Sequence, residues 1–216
     1  MPRNLEGLAY HVNQLRLPEL TRRFLYDQLN PDAPDSGDAV PLDECPTIAG
    51  KVYLFNSARA VYYAPSDLCG TGGMHSERIR AVKSWYHGAP RYDCVYIGKS
   101  DDPGFQGLHV ARVFLFFSFK HNGIRYPCAL IQWFSTVGDA PCQETGMWMV
   151  EPDFVHGQRV LAVIHLDAIL RGAHLIGAAG EDFIPIHGFD FSKSLDAFNL
   201  FYVSKYADYH AHEIAF

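Results

Sequence analysis

Residues 110–134, VARVFLFFSFKHNGIRYPCALIQWF, constrain this chain more than any other stretch. Both halves are rich in β-branched and aromatic residues, and Asn122-Gly123 between them supplies the two positive φ angles of a type I′ turn. The segment therefore reads as one long antiparallel hairpin. VARVFLFFSF is apolar on both alternating faces, so its strand must be covered on both sides. Pro127 cannot donate to a ladder, which places the second strand at an edge or a bulge.

Composition supports a chain with core enough to do this. Of 216 residues, 48% are hydrophobic and 14% aromatic while only 19% are charged, which excludes a disordered chain and fits one β-rich domain with helical additions. The formal net charge of −6 excludes a molecule-wide positive field, so any nucleic-acid contact has to be local. Five cysteines, Cys45, Cys69, Cys94, Cys128 and Cys142, are odd in number and widely spaced with no C-x-x-C pair. They read as reduced thiols, mostly buried, and not as a disulfide framework or zinc ribbon. The start of the chain has no continuous apolar core of a signal peptide, and no stretch reaches the roughly 18 apolar residues of a spanning helix. A soluble, intracellular protein without a membrane partner is expected.

Before the hairpin, Leu5, Leu8, Ala9 and Val12 follow helical spacing behind Asn4 as an N-cap. Pro18 then opens a second helix with the stripe Leu17, Leu20, Phe24, Leu25 and Leu29, leaving Arg22, Arg23 and Asp27 nearer water. Residues 31–46 are rich in Pro, Asp, Gly and Ser and read as a linker loop. Lys51–Pro65 turns to β character, and further strands are expected at 146–150, 159–166 and 174–176. DAILRG reads as one helical turn ended by Gly172. Ser194 caps a closing helix carrying Leu195, Phe198, Phe201 and Tyr202. The organisation expected is a helical hairpin at 1–30, the linker at 31–46, a β-barrel domain at 47–190 and a C-terminal helix and tail at 191–216.

Three groups of residues could carry chemistry. Asp208, His210, His212 and Glu213 are the densest set of metal-ligand types. In a strand His210 and His212 would share a face, and in a helix they would not; the bland alternative is a polar tail whose histidines only hydrogen-bond. In SDLCGTGGMHSERIR a Gly-rich turn precedes a stretch that reads as helical and carries Arg78, Arg80 and Lys83. An anion could sit at that helix N-terminus, and Arg91 extends the basic group. Trp85, Tyr86, Tyr92, Tyr96, Trp133 and Trp148 lie around strand ends and loops, where aromatic faces beside a carboxylate make a cage for methylated lysine; the alternative is ordinary core packing. No G-x-S-x-G, H-E-x-x-H or Walker-type glycine loop is present, and no catalytic residue or cofactor is expected.

Several longer strings carry a resemblance. LPELTRRFLYDQLNP, APSDLCGTGGMHSERIR, ARVFLFFSFKHNGIRYPCALIQWFSTVGDAP, TGMWMVEPDF, IHLDAILRGAHLI and KYADYHAHEIAF together resemble the C-terminal region of Plavaka-type transposases, cut-and-paste elements of mushroom-forming fungi. Within them YDCVYIG, VARVFLFF, ALIQWF, GMWMVEP and VIHLDAILRGAHLI, over residues 91–177, are similar in order to a bromo-adjacent homology domain, a chromatin-associated β-barrel. The first resemblance implies a transposon-derived nuclear protein whose family's catalytic RNase H-like domain lies upstream of the matched region. The second implies an α+β, β-rich fold: a twisted, partly closed barrel with an N-terminal helical hairpin and a C-terminal helix. It also implies binding to nucleosomes, histone tails or other nuclear proteins, with Tyr96 and Trp133 as cage walls. The expected function is therefore a non-catalytic chromatin or protein interaction module. The rivals are a metal-dependent hydrolase or nuclease using His210 and His212, and a DNA-binding fragment using Arg78, Arg80, Lys83 and Arg91.

Overall fold

The computed structural model describes residues 4–65, 72–178 and 190–216. Asn4 caps α1 (Leu5–Val12) through its Oδ1, which accepts from the Gly7 amide at 2.9 Å, and Asn13 ends the helix in the left-handed region. α2 (Leu17–Leu29) buries Leu17, Leu20, Phe24 and Leu25, while Leu29 at the end of the expected stripe is exposed. Arg22 and Arg23 are half-buried, because the loop that follows folds over the polar side of the helix. Arg22 donates to the carbonyls of Leu42, Cys45 and Pro46, and Arg23 to those of Gly37, Asp38 and Val40, so two guanidinium groups pin the 31–46 loop to α2. A loop without ladder partners satisfies its carbonyls this way.

The β run after Lys51 divides at Asn56. β1 (Tyr53–Phe55) and β2 (Ser57–Tyr63) join different sheets, and β2 pairs with β3 (Met74–Val82), which pairs with β4 (Arg91–Tyr92). The expected helix carrying Arg78 and Arg80 is thus a strand. Its burial alternates along the strand, with Ile79 and Ala81 buried between Arg78, Arg80 and Val82, and this period of two fits a half-buried sheet. Of the Gly-rich turn preceding it, Gly72 and Gly73 are described, with positive φ, and the part with Cys69 lies outside the described residues.

β5 (Cys94–Gly98) lies beside β6 (Leu108–His121), and β6 and β7 (Ile124–Val137) form the expected hairpin, with φ of 49° at Asn122 and 83° at Gly123. These two 14-residue strands form the centre of one sheet and carry different partners on the two sides of a bend. A register shift between Val113 and Leu115 bends the pair. On one side of the bend β6 pairs with β1. β7 pairs there with β11 (Leu161–His165), which follows β8 (Met149–Pro152) and a small hairpin of β9 (Phe154–Val155) and β10 (Gln158–Arg159). On the other side β5, β6, β7 and β8 run round a nearly closed, barrel-like antiparallel sheet. Pro127 faces Ser118 of β6, and the β11 register stops at Cys128, so Ile124–Pro127 form an edge of β7, as the proline requires, while β11 and then β8 flank the strand beyond it.

One segment nearly closes the barrel. β12 (Ile169–Ala173) pairs with β5, and after His174 the chain continues as β13 (Leu175–Gly177), which pairs with β14 (Phe201–Val203), itself beside β8. The expected helical turn in DAILRG is therefore only a 3-10 turn at Leu166–Ala168 followed by strand, because the free side of β5 offers ladder partners that propensity does not register. The closing helix is also broken up. α3 (Ser194–Ala197) is one turn long, Phe201 and Tyr202 belong to β14, and α4 (Tyr209–Ala215) ends the chain, capped by Asp208.

Three apolar clusters follow from this plan. α1 and α2 cover one face of the bent hairpin around Phe117, Phe119, Tyr126 and Leu130; the barrel interior holds Tyr96, Val110, Phe134, Trp148, Val150 and Phe201; and the inner face of β2 and β3 packs Ile79 and Ala81 on Val95, Ala111, Val113 and Ile131. The doubly apolar strand β6 is covered on both faces. Cys45, Cys94 and Cys128 are buried free thiols and Cys142 is half-buried. Burial pushes the Cys94 thiol up to about 12 and the Cys128 thiol higher still. Among the described residues no helix is long and apolar enough to cross a membrane.

Candidate functional site

Three loops leaving the barrel strands meet around a cavity of about 730 Å³ that reaches Trp133. Trp133, near the middle of β7, is half-buried, and His109 of β6 meets its edge at 5.4 Å between centroids. Phe105 and Trp148 stack on each other at 5.2 Å and 19° to form a second aromatic wall. Asp102, Asp139 and Asp153 bring carboxylates to the lining against one lysine, Lys99. The Asp153 amide donates to the Trp133 carbonyl at 3.0 Å, which ties one of those acids to the tryptophan. Burial first and Lys99 second lower the His109 pKa, against the opposing pull of Asp153, so the ring is neutral at pH 7 and adds no positive charge to the lining. An aromatic cavity rimmed by excess carboxylate suits a cationic side chain.

Tyr96, the other expected cage wall, does not reach this cavity. Tyr96 pairs with Val110 and Val110 with Phe134, whereas Trp133 pairs with Ala111; cross-strand partners share a face, so Tyr96 and Trp133 lie on opposite faces of the sheet. Tyr96 is 1% exposed in the barrel core, its hydroxyl has no hydrogen-bond partner among the described residues, and burial drives its pKa up. Trp148 does line the cavity, as the rim of the barrel interior in which it stacks on Phe105.

The basic residues form a different surface. Across β2, β3 and β4 the register pairs Arg59 with Arg78, Ser57 with Arg80 and Val82 with Arg91, which puts four arginines on the outward face of this small sheet. Arg80 lies over the Trp85 ring at 4.4 Å and Arg91 at 5.4 Å. Arg91 also pairs with Asp93 at 2.7 Å, and Arg59 donates to Ser76 Oγ at 2.8 Å. Lys83 leaves the group and donates to the His11 carbonyl. Next to Trp85, Tyr86 and His87 both have positive φ, 49° and 63°, and the Gly88 amide closes the turn on the Trp85 carbonyl at 2.9 Å. Bulky residues in that region cost on the order of 1 kcal/mol or more each. The strained turn holds Tyr86 84% exposed beside the arginines.

The C-terminal histidines separate. α4 places His210 and His212 two residues apart on a helix and so on different faces, and the pair does not assemble a two-histidine site. His210 Nδ1 lies 3.0 Å from Arg171 Nη1 and its ring stacks on Tyr62 at 4.7 Å, while His212 packs toward Phe216. The centre of that cluster is Arg171, which the sequence did not single out. Only 1% exposed, it is held by both oxygens of Asp208 at 2.9 and 2.5 Å, with Glu77 at 3.7 Å and Tyr62 beneath it at 4.6 Å. The Arg171 hydrogen bond holds the Asp208 carboxyl below its usual range. This ion cluster ties α4 to β12 and β3.

Comparison of the chain with family models, curated proteins and solved structures returns no match.

Proposed function

We propose that this chain is a non-catalytic docking module whose cavity at Trp133 takes a lysine-bearing segment of a nuclear protein, a histone tail being the expected occupant. The observation that carries the reading is the meeting of Trp133, Phe105 and Trp148 with Asp102, Asp139 and Asp153 in one cavity of about 730 Å³. A cation over an aromatic face gains about 0.5 to 2 kcal/mol according to how dry the site is. Carboxylates at the rim add attraction for lysine without closing on it, and a shallow docking site for a tail needs that balance. Nuclear placement and descent from the C-terminal part of a fungal transposase rest on the sequence resemblances, and the barrel-like sheet is compatible with a bromo-adjacent homology domain.

The test is calorimetric titration of the whole chain with lysine peptides, unmodified and trimethylated, beside the variants Trp133→Ala and Asp139→Asn/Asp153→Asn. Trimethyl-lysine peptide should bind at micromolar strength, lose at least about tenfold with Trp133→Ala, and weaken with the double asparagine variant. Equal binding by Trp133→Ala and the parent chain removes the cavity as the docking site.

A further inference from the structure

We propose that the outward face of β2, β3 and β4 binds the backbone of a single-stranded polynucleotide, with Tyr86 as a stacking platform for a base. This surface is separate from the cavity at Trp133 and does not rest on the function proposed for it.

Arg78 and Arg80 alternate on β3, and Arg91 sits opposite Val82, so three guanidinium positions follow one strand over about 14 Å, from 3.4 Å per residue. Arg59, opposite Arg78, widens the row by one strand spacing. Asp93 is the one carboxylate that ion-pairs with any of the four among the described residues, and it pairs with Arg91. In a chain of net charge −6 this is a local concentration of positive charge. Such a row can neutralise successive phosphates and release their counterions, whatever the net charge of the remainder.

The aromatics decide between a strand and a duplex. Trp85 lies beneath Arg80 and Arg91 and orients both guanidinium groups, leaving Tyr86 to be offered outward. Tyr86 is held there by a turn in which two bulky residues take positive φ, and its ring meets only the Trp85 edge, at 4.5 Å and 70°, among the described aromatic rings, which leaves it largely exposed. An exposed ring beside a basic row stacks an unpaired base, and every base has a face for it. A duplex keeps its bases stacked on one another and offers this ring none.

The experiment is fluorescence anisotropy of the whole chain with a labelled 15-mer oligothymidylate, and with the corresponding thymine–adenine duplex, between 50 and 200 mM salt. Four phosphate contacts on a single strand give a log–log salt slope of about −2.8, or roughly a 50-fold loss of affinity over that range. Arg59→Gln/Arg78→Gln changes exposed side chains only, and it should lower the slope to about −1.4. Tyr86→Ala should weaken binding about fivefold or more with the slope unchanged. Circular dichroism of the variants verifies the fold, and unchanged trimethyl-lysine binding separates this face from the Trp133 cavity. A slope near zero, duplex binding as tight as single-strand binding, or full affinity in Tyr86→Ala overturns the proposal.

Discussion

Asp208→Ala puts the buried ion cluster to a quantitative test. Asp208 supplies both short bonds to the guanidinium of Arg171, a side chain 1% exposed, and its Oδ1 also caps α4 by accepting from the Ala211 amide at 2.7 Å. Leaving a buried charge without its partner costs about 3 to 5 kcal/mol. Glu77 remains 3.7 Å from Arg171 and the Asp208 side chain is one-third exposed, so the low end of that range, about 3 kcal/mol, applies here. Loss of the cap adds about 1 kcal/mol. A destabilisation of about 3 to 4 kcal/mol lowers Tm by roughly 10 °C for a chain of this size. Urea melts followed by circular dichroism and by tryptophan fluorescence measure it. Arg171→Met/Asp208→Ala should recover about 1.5 to 3 kcal/mol relative to the sum of the single changes, because the residues touch and removing both leaves no unpaired guanidinium. A loss below about 1 kcal/mol in Asp208→Ala, or strict additivity in the cycle, refutes the idea that this ion pair anchors α4.

Other outcomes follow from the same reasoning. Gly123→Ala places a Cβ where no atom lies within 4 Å but φ is 83°, so it should cost about 1 kcal/mol from backbone strain alone; a neutral result by urea melt removes the requirement for glycine there. Cys142 has its pKa lowered by hydrogen bonds from the Thr145 side chain and the Thr145 and Glu144 backbone, so mass spectrometry after brief alkylation at pH 7 should find it modified ahead of Cys45, Cys94 and Cys128. Burial first, then Arg171, lowers the His210 pKa against Asp208, Glu213 and Glu77. The unfolded chain therefore takes up that proton near pH 6.5 while the folded chain does not, and stability falls as pH drops below about 6.5. His109 shifts in the same direction, so the comparison that isolates the effect is His210→Gln, which should flatten the slope between pH 6.5 and 5.5; an unaltered slope contradicts it.

The features legible in the sequence were those in which local signals agreed with the final packing. Asn4, Pro18 and the leucine stripe placed α1 and α2, and the Asn122-Gly123 dipeptide between doubly apolar runs placed the β6–β7 hairpin and required two covering layers. Residues 75–83 suggest a helix because a glycine-rich turn and spaced arginines suit a helix start, although the alternation of Ile79 and Ala81 with arginine is the better signal. Residues 169–173 and 201–203 carried no such signal. They are strands because β5, β8 and β13 have sides to be paired, which is information held by other segments. The sites divide in the same way. Trp133, Arg78, Arg80 and Arg91 stood out by residue type, but Asp102, Asp139 and Asp153 belong to separate loops that only the barrel gathers. Arg59 reaches the basic face through strand register, and Arg171 finds Asp208 across 37 positions of sequence.

Backbone chemical shifts of the isotope-labelled chain, followed while a trimethyl-lysine peptide is added, test the docking cavity most directly. The expected result is movement concentrated at Lys99–His109, Trp133–Asp139, Trp148 and Asp153, absent when the same peptide meets Trp133→Ala. Shifts centred elsewhere on the sheet, or a pattern that survives in the alanine variant, would contradict a docking site built on that tryptophan.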